Sequence, residues 1–303
     1  MDNIDGSIRI STKRRGNKLG FWFFKFFLNC FGLAGAYGLL YFVCLHYLIF
    51  DREAVSMCLS YIKRRFPKAG FFKMQLHVYR LFISQGKQLI DRFALISGSH
   101  KFNIQLNGYD DLKKILSAKD SGFVLLTAHV GNWQIALTTL KKMNKHVHLV
   151  MRPEDNNAVR ESLGIDSEDE SISIISPEGY LGGVVESMSA LKNGDIVSLM
   201  GDRKYGFEAV EVSFLKDKAY FPFGAFSIAA SVNCPVVVLL SSKVSKDKYI
   251  VDISNVIYPK YEGPLSKREQ LKKYVQDFAD ILDKYVAEYP YQCFLFHNVW
   301  EKD

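Results

Sequence analysis

The sequence lacks the patterns that mark disulfide-framed, metal-ordered or dinucleotide-binding proteins. Its five cysteines, Cys30, Cys44, Cys58, Cys234 and Cys293, are scattered without CxxC spacing, and an odd number in 303 residues gives no disulfide framework. All five read as small apolar packing residues in a reducing compartment. No Cys/His cluster stands at ligand spacing, so no metal is expected, and nothing calls for a cofactor. Gly182-Gly183 lacks the G-x-G-x-x-G pattern after a strand, which removes the dinucleotide site. A G-x-S-x-G elbow is absent and no cysteine lies in a reactive motif, which argues against serine and cysteine hydrolases. There is no zinc-finger spacing, no aromatic-basic repeat and no internal repeat, so nucleic acid is the weaker partner.

What is present is a folded composition. The chain is 48% hydrophobic and 23% charged, with 23 Phe and 16 Tyr, more than a disordered chain carries. Its length favours one large domain with appended helices over two independent cores. A net charge of +7 favours anionic partners: phospholipid headgroups, a phosphorylated glycolipid or an acidic carrier protein.

The N-terminal part divides into a basic tail (1–18), an apolar segment (19–50) and the remainder (51–303). Between Leu19 and Phe50 only Lys25, Asn29 and His46 interrupt the apolar run, which as a helix exceeds the roughly 30 Å hydrocarbon core. We read it as a membrane helix. A core helix would need protein on every side, and no small-x-small site follows to make it a cleaved signal. Basic residues flank both ends, Lys13 to Lys18 before and Arg52, Lys63, Arg64 and Arg65 after, which defeats a simple positive-inside assignment. Gly32, Gly35 and Gly38 permit a bend, so spanning and monotopic insertion both stay open. From Ser56 to Gly98 the spacing predicts amphipathic helices whose aromatic and basic residues suit either a membrane surface or the core.

After Gly108 short apolar runs alternate with helical stretches. Strands are predicted at 122–127, 147–151, 172–175, 196–200 and 235–240, and helices from about 132, at 180–192 and at 224–232. That alternation predicts an α/β fold, with a central mostly parallel sheet flanked by helices. A last long helix, 265–289, carries Ser266 and Glu269 as a capping box. Sites on such sheets lie beyond the carboxyl ends of strands, here after Thr127 and after Met200.

Thr127 to Gln134, TAHVGNWQ, follows a strand and opens a helix. A neutral His129 at such a tip takes a proton from a hydroxyl near pH 7, or else merely caps and packs. The triplet Gly201, Asp202 and Arg203 is either a strand-end turn or a site in which Arg203 meets a phosphate or oxyanion. AYFPFG, 219–224, can turn beneath a packed helix or present backbone N–H groups to an anion. Arg152 is a weaker candidate for anion contact. His146 and His148 read as structural, and the acidic residues Glu168, Asp169 and Glu170 as a solvated loop.

TAHVGNWQ resembles the HX4D/E box of the late lipid A acyltransferases, within the lysophospholipid and glycerophosphate acyltransferase superfamily. GNKLGFWFFKFF (16–27), LIDRFALISG (89–98), MGDRKYG (200–206), VSFLKDKAYFPFGAFSIAA (212–230) and YPYQCFLFHNVW (289–300) are similar to further family blocks, in order. The resemblance implies a glycerophosphate-acyltransferase-like fold and a membrane-bound O-acyltransferase. His129 would be the base, Asn132, Arg152, Arg203, Phe223 and Gly224 would bind substrate, and AYFPFG would line the donor or acyl groove. The donor would be an acyl carrier protein or acyl-CoA thioester and the acceptor an anionic lipid or glycolipid. The location would be the cytoplasmic face of a bacterial inner membrane. The box departs from the family at its end, where Gln134 replaces the acid: an amide can orient the imidazole but cannot offset its positive charge. Asp202, expected on the same rim, is the candidate replacement. Two alternatives stay open, transfer of an aminoacyl or polyene group, and a catalytically silent lipid-binding protein.

Overall fold

The computed structural model describes residues 18–117, 122–140, 145–151, 172–178, 180–203 and 208–301. Helices α1 (Lys18–Phe50), α2 (Arg52–Arg65) and α3 (Phe71–Ile96) precede an α/β unit. That unit runs β1 (Asn103–Asn107), α4 (Tyr109–Ser117), β2 (Phe123–Thr127), α5 (Trp133–Leu140), β3 (Val147–Val150) and β4 (Ile172–Ile175). It continues with a 3-10 turn (Tyr180–Gly183), α6 (Val184–Lys192), β5 (Ile196–Met200), β6 (Ala209–Phe214), β7 (Asp217–Pro222) and α7 (Gly224–Val232). It closes with β8 (Val236–Lys243), β9 (Lys248–Ile257) and α8 (Lys267–Glu288).

Seven strands form one sheet in the order β1-β9-β8-β2-β5-β3-β4. From β8 to β4 the pairing is parallel, while β9 runs antiparallel to β8 and carries β1 parallel to itself. The mixed α/β architecture with a mostly parallel sheet is therefore the one the alternation predicts. Every residue of β2 is buried. Val124 and Leu126 enter the larger core beneath α1, α2, α3, α7 and α8, and Phe123 and Leu125 enter a second core beneath α4 and α5. A strand covered on both faces must be a continuous apolar run, as FVLLT is. Burying each such side chain contributes roughly 1.5–3 kcal/mol.

Five elements are not read from the sequence: β1, β9, the hairpin-paired strands β6 and β7, and α4. The hairpin alternates, with Val210, Val212 and Phe214 buried and Glu211 and Ser213 facing outward, because only one of its faces packs, against α8. β9 alternates similarly, burying Tyr249, Val251 and Ile253. The last helix is capped as expected. The Ser266 hydroxyl accepts the Glu269 N–H at 3.3 Å, and the Glu269 carboxylate accepts the Ser266 N–H at 3.3 Å. Four cysteines are buried, as packing residues are, but Cys30 is exposed on α1.

α1 is not one straight rod. Gly32, at φ 64° and ψ −165°, breaks its helical geometry, a conformation that costs glycine little. Beyond the break Leu33, Ala36, Tyr37, Leu40 and Cys44 are buried at helical spacing against the larger core. The Tyr37 hydroxyl donates to Asp91 of α3, which also receives Lys243 of β8 and Tyr249 of β9. Burial pulls the Lys243 pKa down while the Asp91 charge opposes that fall.

Candidate active site

The register of two strands builds the site. In the parallel β2/β5 pair Phe123 lies opposite Ile196 and Thr127 opposite Met200, so the chain leaves both strands side by side. The Gly201 N–H donates to the Thr127 carbonyl at 2.9 Å, carrying the pairing one step further. Two residues beyond these strand ends stand His129 and Asp202. Asp202 accepts the His129 backbone N–H at 2.7 Å through Oδ2 and contacts His129 Nδ1 at 3.0 Å through Oδ1. A carboxylate only accepts, so Nδ1 carries the proton and Nε2 holds the lone pair. The Asp202 side chain is 1% exposed and that of His129 25%, so a buried acid backs a ring that reaches solvent.

The electrostatics follow. Burial alone would raise the Asp202 carboxyl, but the charge and hydrogen bonds of His129 and the nearness of His297 outweigh it, and its pKa is lowered. His297, which no local spacing in the sequence marks, aims Nε2–H at the Asp202 carbonyl at 3.0 Å, and its ring centre lies 6.0 Å from that of His129. Burial lowers the His297 pKa against the attraction of Asp202, and the His129 and Arg203 charges lower it further. A neutral imidazole therefore braces the turn that carries the acid.

The loop bearing His129 is held from a second side. The Phe294 N–H donates to the His129 carbonyl at 2.7 Å and the Gly131 N–H to the Gln292 carbonyl at 2.8 Å, with Val130 and Cys293 bridged between them. Gly131 has φ 54°, and a Cβ there would lie 1.4 Å from the Ser241 carbonyl oxygen. Tyr285 also donates to that oxygen, at 2.7 Å. The C-terminal segment and β8 thus clamp the loop into one conformation.

The remaining expected site residues divide. Asn132 is buried and caps α5, its Oδ1 accepting the Ile135 N–H at 3.3 Å while its Nδ2 donates to the Gln88 carbonyl at 2.9 Å. Gln134 faces α3, where its amide oxygen accepts from Arg92. Burial lowers the pKa of that Arg92 guanidinium. Arg203 follows Asp202 at the rim and is half-buried. Phe223 and Gly224 open α7, whose first turn has no side-chain cap. Among the described residues no hydrogen bond joins these two to the His129–Asp202 pair. Arg152 lies outside the described residues. His148 bonds Ser173 at 2.7 Å and Asp195 at 3.1 Å, which ties β3 to β4 and to the start of β5. Among the described residues no group of three or more His, Cys, Asp or Glu is placed to hold a metal ion.

A buried carboxylate, an oriented imidazole and a nearby guanidinium are the parts of a general-base site with an anion contact. Residues 76–302 match the family described as bacterial lipid A biosynthesis acyltransferase. No curated protein sequence matches the chain.

Proposed function

The chain belongs to the bacterial lipid A biosynthesis acyltransferase family, and from that premise we propose that it moves an acyl group from a thioester to a hydroxyl of a lipid A-like acceptor with His129 as general base. His129 Nε2 takes the acceptor's hydroxyl proton. The alkoxide attacks the thioester carbonyl, the tetrahedral oxyanion collapses, and the thiolate leaves and recovers the proton from Nε2. Asp202 holds the ring through Nδ1 and offsets its positive charge while the proton is on it. Arg203 serves the oxyanion or an acceptor phosphate. Phe223 and Gly224, at the start of α7, are assigned to substrate binding, whereas Asn132 is committed to capping α5 and to the Gln88 carbonyl.

The observation that carries this reading is the contact of Asp202 with both the ring and the backbone N–H of His129. It supplies the acid that the box lacks at Gln134, whose oxygen is engaged with Arg92 instead. The donor is an acyl carrier protein or acyl-CoA, and a net charge of +7 suits an acidic carrier, a phosphorylated acceptor and an anionic membrane alike. Residues Phe23–Phe50, long and apolar enough to cross a membrane and mostly unburied, are the segment through which the enzyme binds the cytoplasmic face of the inner membrane.

The test is turnover by the full chain, purified in detergent, with acyl carrier protein and coenzyme A thioesters and lipid A precursors, read by mass spectrometry. Acceptor mass should rise by one acyl group with release of free thiol. A folded protein that transfers from neither donor would contradict the proposal.

A further inference from the structure

The break at Gly32 divides α1 into two lengths with different surroundings. Residues 33–50 lie along α3. Tyr37 reaches Asp91, and Tyr41, one turn on, meets Tyr79 and Lys87, so the two helices run antiparallel. Because Asp91 also holds Lys243 and Tyr249 of the sheet, this half of α1 is fixed to the catalytic unit. Only residues 18–31 remain, about 21 Å of helix interrupted by Lys25, short of the roughly 30 Å hydrocarbon core. Carrying residues 33–50 across a bilayer would draw in α3 with its exposed Lys73 and Arg80, which hydrocarbon strongly disfavours.

Antiparallel packing sets the end of α1 beside the start of α3. There Phe71 and Phe72 are 72% and 86% exposed, and Phe50 is 71% exposed. Lys63, Lys68 and Lys73 around this corner are exposed as well. Exposed aromatics ringed by lysines suit the headgroup boundary of an anionic leaflet. The opposite end of the apolar run is also basic in sequence, with Lys13, Arg14 and Arg15 before it. A crossing helix would leave these two basic flanks on opposite sides, against the usual charge bias, whereas insertion from one side keeps both on one face.

Resting on the membrane assignment above, we propose that the enzyme is monotopic: α1 enters one leaflet without crossing, and Phe71 and Phe72 at the α2/α3 corner form a second anchor on anionic lipid. The outward face of α1, with Phe42, Leu45 and Ile49, lies among acyl chains, and the lysines of the corner meet headgroup phosphates. The catalytic unit is thereby held against the leaflet at two points.

The experiment uses the full chain in bacterial membranes, with one epitope in the 1–17 tail and another at the C-terminus, and protease added to right-side-out and to inverted vesicles. Both epitopes should be cut from the same face, that of inverted vesicles. A membrane-bound protein whose epitopes are cut from opposite faces would overturn the monotopic proposal and leave the acyltransferase reading intact. Recovery in the soluble fraction without detergent would overturn the membrane assignment itself and this inference with it. The second anchor has its own readout: Phe72→Cys in a Cys30→Ser background, labelled with a polarity-sensitive dye, in phosphatidylcholine vesicles with and without phosphatidylglycerol. Emission should shift to the blue and be quenched by lipid-borne spin labels, more strongly with phosphatidylglycerol, and Lys63→Gln/Lys68→Gln/Lys73→Gln should remove that difference. A water-like spectrum on both vesicles would overturn the anchor.

Discussion

His129 and Asp202 each lie two residues beyond a pair of facing strand-end residues, Thr127 and Met200, so the parallel register of β2 and β5 alone delivers acid to base. Neither side chain needs a long loop to reach the other. The contact is built into the sheet, which is why the acid comes from the neighbouring strand and not from the helix that follows His129.

The first prediction concerns pH and stability. Asp202 is lowered in the fold, so the unfolded chain takes up its proton first as pH falls; the stability Asp202 contributes is complete above its ordinary value of about 3.9 and is lost below it. His297 is lowered from about 6.5, so below that pH the unfolded chain again binds the extra proton and stability falls. His297→Gln keeps a donor for the Asp202 carbonyl but does not titrate. Thermal unfolding in detergent should show a decline from pH 7 to pH 5 that is shallower in His297→Gln than in the parent. Equal slopes would show that His297 is not held neutral.

Gln134→Glu separates two accounts of the box. With Arg92 against the Gln134 oxygen, a carboxylate there pairs with the guanidinium and leaves the His129–Asp202 contact as it is. Turnover should change by less than about threefold, while the melting temperature rises slightly as the half-buried Arg92 gains a counter-charge. A tenfold gain in kcat would instead make position 134 the partner of His129.

Gly131→Ala tests the clamp on the loop. A methyl group would meet the Ser241 carbonyl at a backbone angle that side chains avoid, so the loop must move or the fold must yield. The expected cost is roughly 2–5 kcal/mol, the sum of overpacking and a left-handed backbone. Denaturant titration reads it, and activity should fall with it. A variant of unchanged stability would mean that the loop has room the structure denies it.

Much of this was legible in the sequence for a physical reason. FVLLT and, apart from the buried Ser198, IVSLM are apolar runs because both faces of a central parallel strand are covered, and the residues after them had to stand at the sheet's carboxyl edge. Asp202 could be picked out on that ground once the resemblance had shown a box lacking its acid at Gln134. His297 could not, since it acts on a backbone carbonyl 95 residues away and no local spacing announces such a bond. Arg92 and Gln134 meet only because α3 packs beside α5, and neither helix's own periodicity names the other. The β6/β7 hairpin and β9 carried a period-two signal that went unused, while the docked half of α1 was masked by its composition. With apolar residues all round, the face that packs on α3 looks like the face that does not.

The most direct test of the central claim is a double-mutant cycle on acyl transfer with His129→Ala, Asp202→Asn and the double variant, each checked for folding by circular dichroism. Each single change should lower kcat by roughly 100-fold to 10,000-fold, the scale of a lost general base. The double variant should lose little more than either single, because the two residues act as one unit. Normal turnover in Asp202→Asn, or losses that multiply in the double variant, would contradict the account.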